Sequence, residues 1–112
     1  MIYWYQKLYM DEKVAKNPGK CKKRVMRRRP WKKSYVAITL AANPDNLFDI
    51  IETRQLFFRR YSYLDLYVVG LASEQGKARE LLQHIVEDMW SQNADICIDS
   101  FFPKSKFTNK IK

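Results

Sequence analysis

The stretch that decides the fold is residues 64–72, LDLYVVGLA, together with the residues that follow it. Apolar side chains occupy both alternating sets of positions here, which is typical of a central strand covered on both faces. Ser73 is then a suitable N-cap, and a helix is predicted over residues 74–92. Its apolar residues recur at spacings of three and four, as a buried stripe does: Ala78, Leu81, Leu82, Ile85, Val86 and Met89.

A second stretch, residues 34–42 (SYVAITLAA), is also apolar on both faces and rich in β-branched residues. It predicts another central strand. Asn43-Pro44-Asp45 follows it and offers an N-cap, a first-turn proline and an acid at the positive end of a helix. We therefore expect a short helix that contains Leu47, Phe48, Ile50 and Ile51.

The N-terminal third has weaker patterns. Residues 2–16 fit a helix with one apolar side, although their aromatic density also suits a strand. After the breaker at residues 17–19 (NPG), a short helix is expected to about Arg29, where Pro30 ends it. Its apolar stripe is narrow, since it consists of Cys21 and Val25.

Two further segments complete the pattern. Residues 54–61 are aromatic and basic, and fit either an extended strand or a loop. Residues 95–99 (DICID) alternate as a short edge strand does, with Ile96 and Ile98 on one face. The tail from Pro103 is polar and basic, and is expected to fray.

These elements predict an α+β fold. If residues 54–61 form a strand, the order is that of a small split βαβ, ferredoxin-like sheet, with the N-terminal helical segment on its other face. If they form a loop, the alternative is a three-stranded, mostly parallel α/β sheet. In both cases the two most apolar strands are central and adjacent, joined by a right-handed crossover. The expected organisation is one domain: a basic helical extension (1–33), an α/β core (34–102) and a flexible basic tail (103–112).

The size and composition are those of a globular protein that needs no disulfide or structural metal. The chain has 112 residues, 46% of them apolar, which is enough to bury one core. The start of the chain lacks a leader pattern, and no apolar stretch reaches the roughly 18 residues of a membrane span. We therefore expect a cytoplasmic protein whose two cysteines, Cys21 and Cys97, are free thiols.

The positive charge is concentrated in one segment. The formal net charge is +9, yet residues 13–33 contain eleven Lys or Arg and no acid, while residues 1–12 and 34–112 each sum to −1. An uncompensated run of this size repels itself and costs stability. The charge is thus a local feature, which favours a role in binding over the alternative of a helix and linker that only keep the protein soluble.

No combination of residues predicts catalysis or metal binding. His84, the single histidine, falls opposite the apolar stripe of its helix, which indicates a solvated residue. Asp95, Cys97 and Asp99 share a strand face, but three such residues on one edge strand are a poor zinc set. Two loops are expected to lie side by side at the carboxyl ends of the central strands, where helix capping explains their polar residues: Asn43, Asp45, Asn46, Ser73, Glu74, Gln75 and Gly76. We expect no enzyme activity and no cofactor.

The basic segment predicts a non-enzymatic protein that binds a polyanion, namely DNA or RNA. Trp31 lies within it and is a candidate for stacking on a base. The alternative is a regulatory or interaction subunit that docks on an acidic protein partner; the apolar stripe is too narrow for membrane insertion. The candidate residues are Lys20, Lys22, Lys23, Arg24, Arg27, Arg28, Arg29, Trp31, Lys32 and Lys33.

Three runs of the sequence resemble short uncharacterised proteins of Firmicutes. These runs are residues 35–41 (YVAITLA), residues 46–51 (NLFDII), and residues 68–72 (VVGLA) with the Ala78 and Leu81-Leu82 that follow. The resemblance covers roughly residues 7 to 102. It implies the extent of the domain and no activity.

Overall fold

A computed structural model describes residues 2–26, 34–41, 47–57, 65–92 and 101–109. This part of the chain contains five strands: β1 (Ile2–Met10), β2 (Val36–Leu40), β3 (Phe48–Glu52), β4 (Leu66–Ala72) and β5 (Phe107–Thr108). It also contains three α-helices: α1 (Glu12–Ala15), α2 (Pro18–Met26) and α3 (Gln75–Gln92). There are also two short 3-10 turns. Thr53–Phe57 follows β3, and Lys104–Lys106 precedes β5.

The strands form one mixed sheet in the order β3-β2-β4-β1-β5. β1 and β4 are parallel, whereas β2 pairs antiparallel with both β3 and β4, and β5 pairs antiparallel with β1. An α+β class is therefore correct, while the ferredoxin-like split βαβ layout is not confirmed. The alternative of a three-stranded, mostly parallel sheet is wrong, because the described sheet has five strands and one parallel pair.

Helices cover both faces of the sheet. We call the face that packs against α1 and α2 the α2 face; its core includes Val14, Cys21 and Val25 together with Trp4 and Val68 of the strands. We call the opposite face the α3 face; its core contains the four buried residues of α3, which are Ala78, Leu81, Ile85 and Met89. The apolar stripes predicted for α2 and α3 are thus confirmed. Both strands predicted as central are apolar on two faces because each face has a helical layer.

The N-terminal residues that suited either a helix or a strand form β1. Ile2, Trp4 and Leu8 are buried on the α2 face, whereas Tyr5 and Tyr9 pack on the α3 face. β1 lies between β4 and β5, inside the sheet, where both of its faces are covered. A helix over the same residues would break these two sets of contacts.

The helix predicted around Phe48 to Ile51 is wrong, because these residues form β3. All five β3 residues pair with β2, from Leu40 opposite Phe48 to Val36 opposite Glu52. The β-branched pair Ile50 and Ile51 suits a strand, and an Asn-Pro-Asp sequence is as good a turn signal as a helix cap. The Asn43-Pro44-Asp45 motif itself lies outside the described residues.

The predicted crossover between the two central strands is also wrong. β2 and β4 are adjacent, as expected, but they run antiparallel. The parallel neighbour of β4 is β1, and α1 and α2 follow β1 on the way to β2. β4 runs antiparallel to β2 because the chain reverses direction into β3, which pairs antiparallel with β2, where a crossover helix was expected.

The remaining expectations have mixed outcomes. Within the segment expected to be a strand or a loop, residues up to Phe57 belong to a 3-10 turn. In the expected tail, Phe107–Thr108 pairs with β1 as an edge strand. Residues 58–61, residues 95–99, the expected end of α2 near Arg29 and the last three residues of the chain lie outside the described ranges.

A bulge in β4 sets the faces of its last residues. The pairing with β2 moves from Ile38 opposite Gly70 to Thr39 opposite Val68, which leaves Val69 as an extra residue. As a result, Val68 and Leu71 both belong to the α2-face core, and Val69 belongs to the other. A Cβ at Gly70 would lie 3.1 Å from Ile38 Cδ1, so glycine gives the isoleucine room at the bulge.

Candidate functional site

The carboxyl ends of the two parallel strands meet at one edge of the sheet, where ligands often bind in α/β proteins. Here Asp11, which follows β1, occupies the junction. Its carboxylate accepts hydrogen bonds from the backbone N–H of Val14 (2.9 Å), the backbone N–H of Ser73 (2.8 Å) and the Ser73 hydroxyl (2.6 Å). Asp11 is buried, and these bonds join the start of α1 to the end of β4.

The charged state of Asp11 is favoured by its partners. Burial by itself would raise the pKa of this carboxyl, but the hydrogen bonds from Ser73 and Val14, with the charge of Lys13, outweigh burial and hold the pKa below its ordinary value. Ser73 was predicted to cap α3, but its hydroxyl donates a hydrogen bond to Asp11 instead. At the start of α3, the N–H of Ala78 donates to the carbonyl of Glu74. An engaged carboxylate gives this edge of the sheet a structural role.

The carboxyl ends of β2 and β4, which were predicted to lie side by side, are at opposite ends of the sheet. β2 and β4 are antiparallel, so the end of β2 at Leu40 and Ala41 is at the opposite end of the sheet from Ser73. Asn43, Asp45 and Asn46 follow Ala41 and lie outside the described residues. Glu74, Gln75 and Gly76 are exposed at the start of α3.

The other candidate residues for chemistry have separate positions. His84 is exposed on α3, with Nδ1 3.9 Å from a carboxylate oxygen of Glu87, which confirms the prediction of a solvated residue. Cys21 is a buried free thiol, as predicted, whereas Asp95, Cys97 and Asp99 are outside the described ranges. Among the described residues, no group of three His, Cys, Asp or Glu side chains is arranged to hold a metal ion.

The basic candidate residues on α2 divide into two pairs. The helix binds the sheet through Cys21 and Val25, so Lys20 and Lys23 are exposed to solvent. Lys22 and Arg24 are half-buried. The other six predicted site residues, Arg27, Arg28, Arg29, Trp31, Lys32 and Lys33, lie outside the described residues.

Lys22 packs against the sheet. Its Nζ lies 5.8 Å from the ring centre of Trp4, within the range of a cation–π contact. Burial lowers the pKa of Lys22. Trp4 is fully buried, and its Nε1 has no hydrogen-bond partner among the described residues. Lys22 is therefore less accessible to a ligand than the exposed Lys20 and Lys23.

Arg24 also has an internal partner. Its guanidinium donates a 3.0 Å hydrogen bond to the hydroxyl oxygen of Tyr35, the buried residue that precedes β2. Burial and a hydrogen bond with Cys21 raise the pKa of Tyr35, and Arg24 partly opposes this effect. Arg24 thus helps to fasten α2 to the start of β2.

The two helical layers differ in charge. The described residues of α1 and α2, with the flanking Asp11 and Lys16, contain six Lys or Arg and two acids. One of these acids, Asp11, is buried and accepts the hydrogen bonds described above. On the α3 face, α3 and the preceding Glu74 contain four acids and two bases. The sheet separates these layers, so the described helices carry a net positive charge on the α2 face and a small net negative charge on the α3 face.

Sequence reasoning missed a cluster of aromatic rings on the α3 face. Tyr3 of β1 and Tyr67 of β4 are paired neighbours, and their rings stack with centroids 5.0 Å apart and 13° between planes. Phe107 of β5 meets Tyr67 edge-on at 5.3 Å, and it also contacts Tyr5 at 5.4 Å. These four residues are all half-buried. A signal was present in each strand, because Tyr3 and Tyr5 alternate with buried residues of β1 and Tyr67 lies between two buried residues of β4. It predicts a cluster only once the pairing of β1 with β4 is known.

Within the described part of the chain, no helix combines the length and apolar character needed to cross a bilayer. Comparisons of the chain with protein-family models, with curated proteins and with solved structures find no significant match.

Proposed function

We propose that the protein binds nucleic acid, DNA or RNA, through the outer side of α2 and the basic segment that continues from it to Lys33. The observation that carries the proposal is the orientation of α2. Its two apolar residues attach it to the sheet, so Lys20 and Lys23 project into solvent on a helix that contains no acid. Lysines in this position neutralise phosphates and release condensed counterions, which supplies affinity independent of sequence.

The division of charge between the two faces supports the same function. The basic layer of α1 and α2 adds exposed Lys13 and Lys16 to the α2 lysines. Helix α3 on the opposite face, with Glu74, has a small excess of acid, so a polyanion is attracted to the outer side of α1 and α2 rather than to the outer side of α3. This uneven charge distribution orients the protein as it approaches the nucleic acid.

Salt-dependent binding tests the proposal. The affinity of the full chain for labelled random-sequence duplex DNA, single-stranded DNA and RNA is measured by fluorescence anisotropy over a range of salt concentrations. We expect binding at low salt that weakens linearly in a double-logarithmic plot. The double variant Lys20→Gln/Lys23→Gln should lower the magnitude of the duplex slope by about 1 to 2, since each phosphate contact contributes about 0.9.

A matched control lies on the other face. Lys77→Gln/Arg79→Gln removes the same charge from exposed positions of α3 and should leave the slope near that of the wild type. The triple variant Arg27→Gln/Arg28→Gln/Arg29→Gln should weaken binding further. Absence of binding at low salt, or equal effects of the α2 and α3 variants, would refute the proposal.

A protein-interaction module is a second candidate, favoured by three exposed large apolar side chains. Leu47 is 46% exposed, Ile50 38% and Trp90 56%. Exposed tryptophan is typical of protein contacts. In a pull-down, a partner that survives nuclease treatment and is lost on Trp90→Glu, but not on Lys20→Gln/Lys23→Gln, would favour this candidate.

A further inference from the structure

We infer that the rings of Tyr3, Tyr67 and Phe107, here called the ring cluster, form a base-stacking site for single-stranded nucleic acid. This inference rests on the proposed function and narrows its ligand. The cluster is separate from the lysines of α2, because it lies on the α3 face of the sheet.

The first argument is the position of the rings relative to the core. Tyr5 and Phe107 pack against the core of the α3 face, but Tyr3 and Tyr67 belong to neither core cluster. Both tyrosines nevertheless hold a fixed, nearly parallel stack on adjacent strands of the sheet, and both keep part of their surface in solvent. Rings held in place on a sheet lose little conformational entropy when a ligand packs on them.

The second argument is chemical. Unpaired bases stack on aromatic side chains with little dependence on sequence, because every base has a π face. Duplex DNA keeps its bases paired and stacked, so it presents phosphates and groove edges instead. A half-buried aromatic stack that keeps part of its surface in solvent therefore selects single strands over duplex.

The third argument is charge complementarity around the rings. Within two residues of Tyr5, Tyr67 or Phe107 in the chain, two exposed lysines, Lys7 and Lys106, outnumber one exposed acid, Asp65. The final ten residues of the chain contain four lysines and no acid. An anionic backbone is thus matched by cations that adjoin the rings in the chain, which a neutral apolar partner does not require.

The ring cluster is also connected to α2 through β1. Trp4 and Tyr5 are consecutive and face opposite sides of the sheet. Trp4 lies under Lys22 of α2, whereas Tyr5 contacts Phe107. Both residues pair with β5, the last strand of the described sheet. A flexible single strand that passes around this edge can contact the lysines of α2 and the ring cluster together, which a stiff duplex does not do.

The test compares an oligonucleotide of about 20 thymidines with a duplex of the same length, a size chosen to exceed the site of a typical single-strand binding surface. Tyr3→Leu and Tyr67→Leu keep apolar volume and remove the ring, while Tyr3→Phe and Tyr67→Phe keep the ring. We expect each leucine variant to weaken oligothymidine binding roughly tenfold, with duplex binding and the salt slope unchanged. The phenylalanine variants should bind within about twofold of the wild type.

Two further measurements keep the outcome decisive. Thermal unfolding establishes that each variant is folded. Photocrosslinking of the wild-type chain to bromouracil-containing oligonucleotide, mapped by mass spectrometry, should give adducts at Tyr3, Tyr67 or Phe107. If folded leucine variants bind oligothymidine as the wild type does, or if adducts map only to α2 and residues 27–33, the inference is wrong while the proposed function stands. If no nucleic acid binds at low salt, both fail.

Discussion

The carboxylate of Asp11 accepts two hydrogen bonds from Ser73, one from its backbone N–H at 2.8 Å and one from its hydroxyl at 2.6 Å. The two residues are 62 positions apart in the chain and follow the two parallel strands β1 and β4. With the bond from Val14 N–H, this contact closes the sheet edge at which a ligand would otherwise be expected.

Replacement of Asp11 by Asn should destabilise the fold by about 2–3 kcal/mol, because hydrogen bonds to a charged acceptor are strong and the amide group presents donors to donors. The free energy of unfolding is measured by urea denaturation. Glu12→Gln, one residue along and exposed, removes the same charge and should have little effect. Equal effects of the two variants would contradict the role assigned to Asp11.

The stability of the wild type should also depend on pH through Asp11. Because the pKa of Asp11 is lower in the folded state, the unfolded state binds more protons in the acid range, and the stabilisation is lost as pH falls below about 4. The free energy of unfolding of Asp11→Asn should therefore decline less steeply over this range. A parallel decline in wild type and variant would contradict the expectation.

Tyr9 should contribute a dependence at the alkaline end. Its hydroxyl donates a 2.6 Å hydrogen bond to Asp88 of α3; burial, this bond and the charge of Asp88 raise its pKa above the ordinary value. The raised pKa means that the stabilisation is present below about pH 10 and is lost as pH rises further. Tyr9→Phe should cost about 1 kcal/mol at neutral pH and lose stability less steeply above pH 10, as measured by urea denaturation. An unchanged alkaline slope would argue against it.

Lys22→Met should separate the packing role of Lys22 from nucleic-acid binding. The desolvation of the ammonium and its attraction to the Trp4 ring oppose each other, so the stability should change by no more than about 1 kcal/mol. The salt slope should stay close to that of the wild type, in contrast to Lys20→Gln/Lys23→Gln. A loss of slope equal to that of a single exposed lysine would show that Lys22 contacts phosphate.

Gly70→Ala should cost about 1–3 kcal/mol, since the new Cβ meets the Ile38 side chain at 3.1 Å in a closely packed core. Ile38→Val removes that nearest atom, Cδ1, and by itself should cost about 1 kcal/mol. The double variant should be more stable than the sum of the two effects by about 1 kcal/mol, as measured by a double-mutant cycle in urea. Additive energies would indicate that the bulge relaxes without help from Ile38.

Much of this protein follows from its sequence alone. Helix α3 is confirmed within one residue of its predicted start, because the regular apolar spacing from Ala78 to Met89, about three turns, leaves no competing structure. The strands β2 and β4 were recognisable for a similar reason, since both faces of each are apolar. The attachment of α2 through Cys21 and Val25 also follows from their spacing of four. The clustering of charge is a property of the sequence and needs no fold.

Other features were decided only by the tertiary structure, because they depend on which segments become neighbours. Leu47 to Ile51 have an apolar pattern too short to distinguish a helix from a strand, and pairing with β2 selected the strand. Ser73 is a good cap by sequence, but the hydroxyl binds Asp11, a residue that only the parallel pairing of β1 and β4 brings near. Tertiary contacts likewise divided the basic residues of α2, because Trp4 lies under Lys22 and Tyr35 lies beside Arg24. They also built the ring cluster from residues as distant in the chain as Tyr3 and Phe107.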